Sequence, residues 1–275
     1  MVIASAMTHR LGTHGGAGLR VRLYVVPGSN ASLTGRLLLD HKGIEYERKE
    51  LVPGAHVAIL KALGFPDMTV PAIKIDGRRV QGTPSIARAL EELWPDPPLF
   101  PVDPVRRKAV EDAERFGEQE LQHAARRLFY CAGRREPENF KSVVLGGETK
   151  LGPARRLLVT AGARAIVWAA TQGHGATDEV CRQAIRDLPR MLDRIDAWIE
   201  AGLLDAEVLT AADFQTGVNL RLLLLFEDIA PWIEGRPAAR LAHRVAAVYP
   251  GRVRAVFPPE WLEPLHGAAP APPDA

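Results

Sequence analysis

Cysteine is scarce in this sequence and shows no pairing pattern. Two cysteines, Cys131 and Cys181, stand fifty residues apart among 275 residues, without a Cys-x-x-Cys spacing. This argues against a disulfide scaffold, a dithiol redox motif and a zinc site built on cysteine. The eight histidines show no ligand spacing either. The prediction is two reduced thiols, buried or half-buried, in a cytoplasmic protein that holds no metal.

An excess of charge and long apolar runs are also missing. The 35 basic and 33 acidic residues leave a net charge of +2, which is too weak a field to recruit nucleic acid or a membrane surface. Arginine pairs such as Arg126-Arg127 are spread among acids and are interpreted as solvated helix faces. Arg164 interrupts the longest apolar candidate, and residues 1–19 lack the pattern of a signal peptide. Neither a nucleic-acid partner nor a membrane is expected.

Between residues 20 and 94, short β-type runs alternate with helical segments. The runs VRLYVV, EYERKEL, TVPAIKID and RRVQ are typical of strands. Asp76-Gly77 predicts a hairpin turn between the last two, and Thr83-Pro84 predicts a helix N-cap followed by proline at the first helical position. The resulting order, β-α-β-α-β-β-α, predicts a small sheet covered by helices.

Pro71 stands at the start of a predicted strand, where proline is normally excluded. Two explanations stay open. The strand is at the edge of the sheet, or the Val70-Pro71 bond is cis and its exposed backbone faces a ligand.

A proline-dense segment, WPDPPLFPVDP, marks the clearest boundary in the chain. Beyond it no convincing strand appears, and Thr210 and Asp213 stand at capping-box spacing before a helix that is apolar on nearly every face. The chain is therefore divided into a flexible leader, a sheet domain, a linker, an all-helical domain and a disordered Pro/Ala-rich tail: residues 1–19, 20–94, 95–104, 105–263 and 264–275.

Three segments, in this order, resemble those of the glutathione S-transferase superfamily. SNASLTGRLLLDHKGIEYE is similar to the family's first active-site loop and helix, TVPAIKIDGRRVQGTPSIARALEEL to its cis-proline segment and third helix, and LTAADF to its capped central helix. The resemblance covers residues 21–262 and identifies a serine-type, bacterial-like member. It implies a thioredoxin-like N-terminal domain that holds glutathione, a helical-bundle C-terminal domain with a pocket for a hydrophobic electrophile, and a homodimer.

Ser29 carries the predicted chemistry, since the resemblance places it at the activating hydroxyl of serine-type members. A thiol attacks as its thiolate, and a hydroxyl donor at a helix N-terminus favours that anion. Ser29, Asn30 and Ser32 are also good helix-capping residues. A purely structural role for Ser29 therefore stays open, with Ser32 as the alternative activating residue.

The resemblance assigns further residues around the bound thiol. It implies that the thiol's peptide pairs with Val70 and Pro71 and that its γ-glutamyl end is held at Gly82 and Thr83. The predicted substrate pocket is on the helix after the linker: Phe116, Arg127 and Tyr130. A core role for Phe116 and a structural role for Arg127 and Tyr130 stay open.

Two positions depart from the family pattern. Gly82 stands where the family usually has an acid or amide, and Thr34 where it commonly has Arg. Both weaken the case for glutathione itself more than the case for the fold, so another low-molecular-weight thiol stays open as co-substrate.

The predicted function is conjugation of such a thiol to a hydrophobic electrophile, as in detoxification. Two alternatives stay open: a non-catalytic protein whose inter-domain cleft binds an apolar metabolite or a partner, and an enzyme that uses the thiol as a cofactor for isomerisation or reductive dehalogenation. Thiol–disulfide exchange is rejected because the first active-site loop has no cysteine.

Overall fold

The structure, a computed structural model, describes residues 18–147 and 149–266. The predicted flexible leader and disordered tail lie outside this part of the chain, apart from residues 18–19 and 264–266. Residues 264–266 contradict the predicted start of the tail, because they form the last turn of a helix in which Leu265 is buried.

The N-terminal half builds a sheet in the order β2-β1-β3-β4, with β1 parallel to β2 and antiparallel to β3, and β3 antiparallel to β4. The small sheet that the order β-α-β-α-β-β-α predicted is confirmed, and so is the thioredoxin-like arrangement that the family resemblance implied. The elements are β1 Val21–Val25, α1 Asn30–His41, β2 Glu47–Glu50, α2 His56–Ala62, β3 Ala72–Ile75, β4 Arg78–Gln81 and α3 Thr83–Leu93.

The Val70-Pro71 bond is cis. Strand β3, which follows Pro71, is paired with β1 on one side and β4 on the other. The edge-strand explanation of Pro71 is therefore wrong and the cis bond is confirmed, while a ligand facing its backbone stays a prediction.

The start of α3 differs by one residue from the prediction. Gly82, with φ +83° and ψ 144°, is the N-cap, and Thr83 is the first helical residue, with Pro84 next. The predicted Thr83 cap is wrong because the chain enters this helix with a positive φ, which glycine adopts without steric cost.

After the linker, the described chain consists of helices and the loops between them, with no strand apart from an isolated β-bridge between Phe226 and Val253. The helices are α4 Pro104–Phe116, α5 Gln122–Arg135, α6 Pro137–Leu145, α7 Pro153–His174, α8 Asp178–Glu200, α9 Ala211–Leu223, α10 Pro237–Val245 and α11 Pro259–His266. Within residues 18–147 and 149–266, no helix is long and apolar enough to cross a membrane.

Helix α9 is the centre of the molecule and joins its two halves. It packs against α1 of the sheet half and against α4 and α10 of the helical half, and all of its residues except Arg221 are buried. The predicted capping box is present: the Thr210 amide donates to Asp213 Oδ2 at 2.7 Å. The apolar sequence of α9 thus predicted its burial correctly.

Both cysteines are free and buried, as the sequence predicted. They lie on neighbouring helices, Cys131 on α5 and Cys181 on α8. The described residues contain no group of three or more His, Cys, Asp or Glu side chains that could hold a metal ion.

Candidate functional site

A cleft of about 460 Å³ separates the sheet half from the helical half. One wall is formed by the β1–α1 loop, the start of α2 and the segment before Pro71, and the other by α5, α6 and α7. Its volume suits a small organic ligand. The fold places the N-terminus of α1 in this cleft, because α1 starts where β1 leaves the sheet.

Ser29 lines the cleft and caps α1 at the same time. Its Oγ accepts a hydrogen bond from the Ser32 amide at 3.2 Å. A hydroxyl has one donor proton as well as two acceptor lone pairs, and no hydrogen bond donated by Ser29 Oγ to a described residue is present. The capping role therefore leaves the proton of Ser29 available to an anion in the cleft.

Ser32, the alternative activating residue, has a different position. It is buried, and its Oγ accepts from the Val26 amide at 3.1 Å. Ser32 is not among the described residues that line the main cleft. Its hydroxyl holds the β1–α1 turn in shape instead.

The turn that presents Ser29 is held from behind by the helical half. Gly28 has φ +74°, and a Cβ added there would lie 3.0 Å from the Val144 Cα of α6, so only glycine fits. The buried Tyr249 hydroxyl donates to the Gly28 carbonyl at 2.8 Å. Burial raises the pKa of Tyr249, so it is a neutral donor at physiological pH.

We expect Tyr249→Phe to lower the free energy of unfolding by about 1 kcal/mol, because it removes one partly buried hydrogen bond. Amide hydrogen exchange at Ser29 and Ser32 should become faster, since the turn loses its outer support. Tyr46→Phe is the matched control, because the Tyr46 hydroxyl donates a hydrogen bond to Asp40 Oδ1 at 3.1 Å at an exposed site. Equal effects of the two variants on the Ser29 turn would show that Tyr249 does not hold it.

The opposite wall of the cleft is mainly apolar and aromatic. The rings of Tyr130 on α5 and His174 on α7 are stacked, 5.1 Å apart and 3° from parallel. Burial, together with the neighbouring Arg126, lowers the pKa of His174 to about 4. At neutral pH this stacked pair is therefore uncharged and offers a flat surface.

Three of the predicted site residues come together in the cleft: Ser29, Val70 and Tyr130. Pro71 is buried directly behind Val70, and its carbonyl accepts from the Gly82 amide at 3.0 Å.

The other predicted residues are not among the described residues that line the cleft. Gly82 and Thr83 form the start of α3, with Thr83 5% exposed. Phe116 is a core residue whose ring contacts Trp198 edge to face at 5.2 Å. Arg127 Nε donates to the His174 carbonyl at 3.2 Å.

Sequence reasoning missed Arg126, which lines the cleft although its arginine pair was interpreted as a solvated face. A usable signal was present. Residues three and four apart share one face of a helix, so the position of Tyr130 made Arg126 as good a candidate as Arg127 on α5. Tyr249, in contrast, had no sequence signal, because it reaches Gly28 from 221 residues away.

Comparison with known proteins relates the N-terminal half of this chain to one family. Residues 23–98 match the family model described as glutathione S-transferase, N-terminal domain. No curated protein sequence matches the chain significantly.

Several solved structures share the fold over most of this chain at low sequence identity. A glutathione S-transferase from Rhodospirillum rubrum is 18% identical with a TM-score of 0.54, covering 89% of this chain and 99% of that one. One from Ceriporiopsis subvermispora, in complex with glutathione, is 18% identical with a TM-score of 0.57 and coverages of 83% and 96%. A maleylacetoacetate isomerase from Anaeromyxobacter dehalogenans, with glutathione bound in its active site, is 19% identical with a TM-score of 0.51 and coverages of 91% and 95%.

Proposed function

Since the chain is a member of the glutathione S-transferase superfamily in its N-terminal domain and its fold, we propose that it joins a small thiol, glutathione or an analogue, to an apolar electrophile. The observation that carries this proposal is the position of Ser29. It stands at the N-terminus of α1 with its hydroxyl proton uncommitted, across the cleft from an aromatic and aliphatic wall.

Ser29 acts in this proposal as the stabiliser of a bound thiolate. The thiol has to lose its proton to become nucleophilic, and both the Ser29 hydroxyl and the positive end of the α1 dipole favour the anion. The Val70 backbone pairs with the peptide of the thiol, next to Ser29 in the same cleft. The N-terminus of α3, at Gly82 and Thr83, holds a carboxylate through the first amides of the helix, since the Gly82 amide itself donates to the Pro71 carbonyl.

The helical wall binds the electrophile in this scheme. The sulfur attacks the electrophilic carbon, the new carbon–sulfur bond forms, and the leaving group departs with its electron pair. The thiol proton goes to solvent when the thiolate forms. Aliphatic and aromatic side chains such as Phe129 and Ile166 line this wall and favour an apolar electrophile over a polar one.

A non-catalytic binding protein is the second candidate function. The observation that favours it is the start of α3, where Gly82 has no side chain and Thr83 is buried and does not line the cleft. In that case the cleft binds an apolar metabolite and no thiol. The homodimer and the cytoplasmic location stay predictions under either function.

The test combines thiol binding with product analysis. Reduced glutathione is titrated calorimetrically into the protein and into Thr83→Val, and turnover is followed with an aryl chloride activated by two nitro groups. We expect sub-millimolar binding that Thr83→Val weakens, and a thioether product formed together with an equal amount of chloride. Thiol that is regenerated or oxidised would identify cofactor use. Apolar dye binding without thiol competition or product would favour the binding protein.

A further inference from the structure

Arg126 is a cation of this cleft that pairs with none of the described residues. Burial lowers the pKa of its guanidinium, which nevertheless stays charged because arginine starts so far above neutral pH. No hydrogen bond or ion pair joins the Arg126 side chain to any residue in the described part of the chain. The Arg126 side chain is half-buried, and charges withdrawn from water in proteins are normally paired. An unpaired charge that lines a ligand-sized cleft therefore calls for a ligand of opposite charge.

The other arginines of α5 show how unusual this is. Arg127 donates to the His174 carbonyl at 3.2 Å. Arg134 pairs with Asp178, and Arg135 pairs with the same carboxylate at 3.0 Å. Of these four described side chains, only that of Arg126 lines the cleft and has no acceptor.

The charges around Arg126 strengthen the same conclusion. His174 is neutral because burial and the nearby arginines lower its pKa to about 4. The carboxylate that acts on Arg126 most directly is that of Glu118, which forms no ion pair with it. The site therefore keeps an excess positive charge next to the uncharged Tyr130–His174 stack.

We propose that Arg126 binds a carboxylate of the ligand, so that the cleft selects flat, apolar electrophiles that carry a carboxylate. A guanidinium offers two parallel N–H donors that match the two oxygens of a carboxylate. The flat Tyr130–His174 pair lies on the same wall and suits a planar, aromatic ligand body. The reaction of this ligand rests on the proposed function, whereas its binding does not.

The experiment measures binding first, in the absence of any thiol. The probes are a dinitrobenzoate without a leaving group and its methyl ester, which differ only in the charge that Arg126 would contact. Calorimetry with the full chain should show the carboxylate binding at least about tenfold more tightly than the ester, the value of one charge-assisted hydrogen-bond pair. Equal affinities, or no binding of either probe, would overturn the proposal.

Substitutions then test whether Arg126 causes the preference for the carboxylate over the ester. Arg126→Gln should abolish the carboxylate preference while ester binding changes little. Arg126→Lys keeps the charge without the paired donors and should retain part of the preference. Arg190→Gln is the control, because Arg190 lies at an exposed position of α8 outside the cleft lining. It also removes one positive charge and should leave the carboxylate preference unchanged. A preference that survives Arg126→Gln would contradict the assignment.

The two proposals fail in different ways. A second pair of probes, the aryl chloride with a ring carboxylate and its methyl ester, tests turnover with thiol. Carboxylate-selective binding without turnover of either chloride would leave the Arg126 site standing and reject conjugation. Turnover of both chlorides at equal efficiency, with no selective binding, would support conjugation and reject the Arg126 site.

Discussion

Ser29→Asp is expected to lower the rate of thiol conjugation at neutral pH by about 100-fold or more, with the free energy of unfolding changed by less than about 0.5 kcal/mol. Loss of a preorganised donor to a catalytic anion has costs of this size. The Asp carboxylate adds a negative charge beside the thiolate, which disfavours that anion further.

The stability of Ser29→Asp follows from the cap. Ser29 Oγ accepts from the Ser32 amide at 3.2 Å, and an Asp carboxylate accepts in the same place. Ser and Asp are nearly equal as N-caps, and the positive end of α1 favours the negative charge. The sequence left open whether Ser29 stabilises a thiolate or only caps α1. Ser29→Asp separates these two roles, because it keeps the cap and removes the hydroxyl donor.

Ser29→Ala removes both roles. We expect about 1 kcal/mol of lost stability from the missing cap, and a pKa of the bound thiol that returns toward about 8.5. Below that pH the variant would hold less thiolate than the native protein, so its deficit in rate should be large there. At higher pH both proteins hold thiolate and the deficit should shrink.

The measurement is a pH–rate profile for the native protein and both Ser29 variants, with urea unfolding of each. Ser32→Ala is the control, because Ser32 Oγ accepts a hydrogen bond from the Val26 amide inside the turn and Ser32 does not line the cleft. It should cost stability with a smaller loss of rate. Native-like turnover by Ser29→Asp would leave Ser29 as a helix cap alone.

The fold was predictable from sequence where local chemistry decides the structure. Asp76-Gly77 forms the predicted hairpin turn, and both residues have positive φ. Thr210 and Asp213 form the predicted capping box. The start of α3 was misplaced because Thr83 is a good cap by residue type, while the backbone path at Gly82 is set by how β4 leads into the helix.

The candidate site was predictable only where local pattern and family resemblance coincide. Ser29 and Val70 follow from turn and proline signals on the sheet half, and both line the cleft. On the helical half, which face of α5 meets the cleft depends on packing against α7, and a shift of one residue exchanged Arg126 for Arg127. Tyr249 depends on a contact 221 residues away along the chain, which no local pattern reveals.

Asn219→Leu should destabilise the protein by about 3 kcal/mol, because it breaks a buried amide network between the two halves. Asn30, the first residue of α1, donates through Nδ2 to Asn219 Oδ1 at 2.6 Å. Asn219 Nδ2 in turn donates to the Gln215 carbonyl at 2.6 Å and to the Gly117 carbonyl at 3.2 Å. Asn30 is 4% exposed and Asn219 is fully buried, so water cannot replace the lost partner.

A double-mutant cycle tests whether this network is one unit. Asn30→Leu should also destabilise, but the double variant should lose at least about 1 kcal/mol less than the sum, because two apolar side chains leave no amide stranded. Asn139 is the control: it is a buried amide on α6 that bonds Arg254 within the helical half. The losses of free energy of unfolding caused by Asn30→Leu and Asn139→Leu should be additive. If urea unfolding shows that the effects of Asn30→Leu and Asn219→Leu are also additive, the N-terminus of α1, and Ser29 with it, is positioned by the sheet half alone.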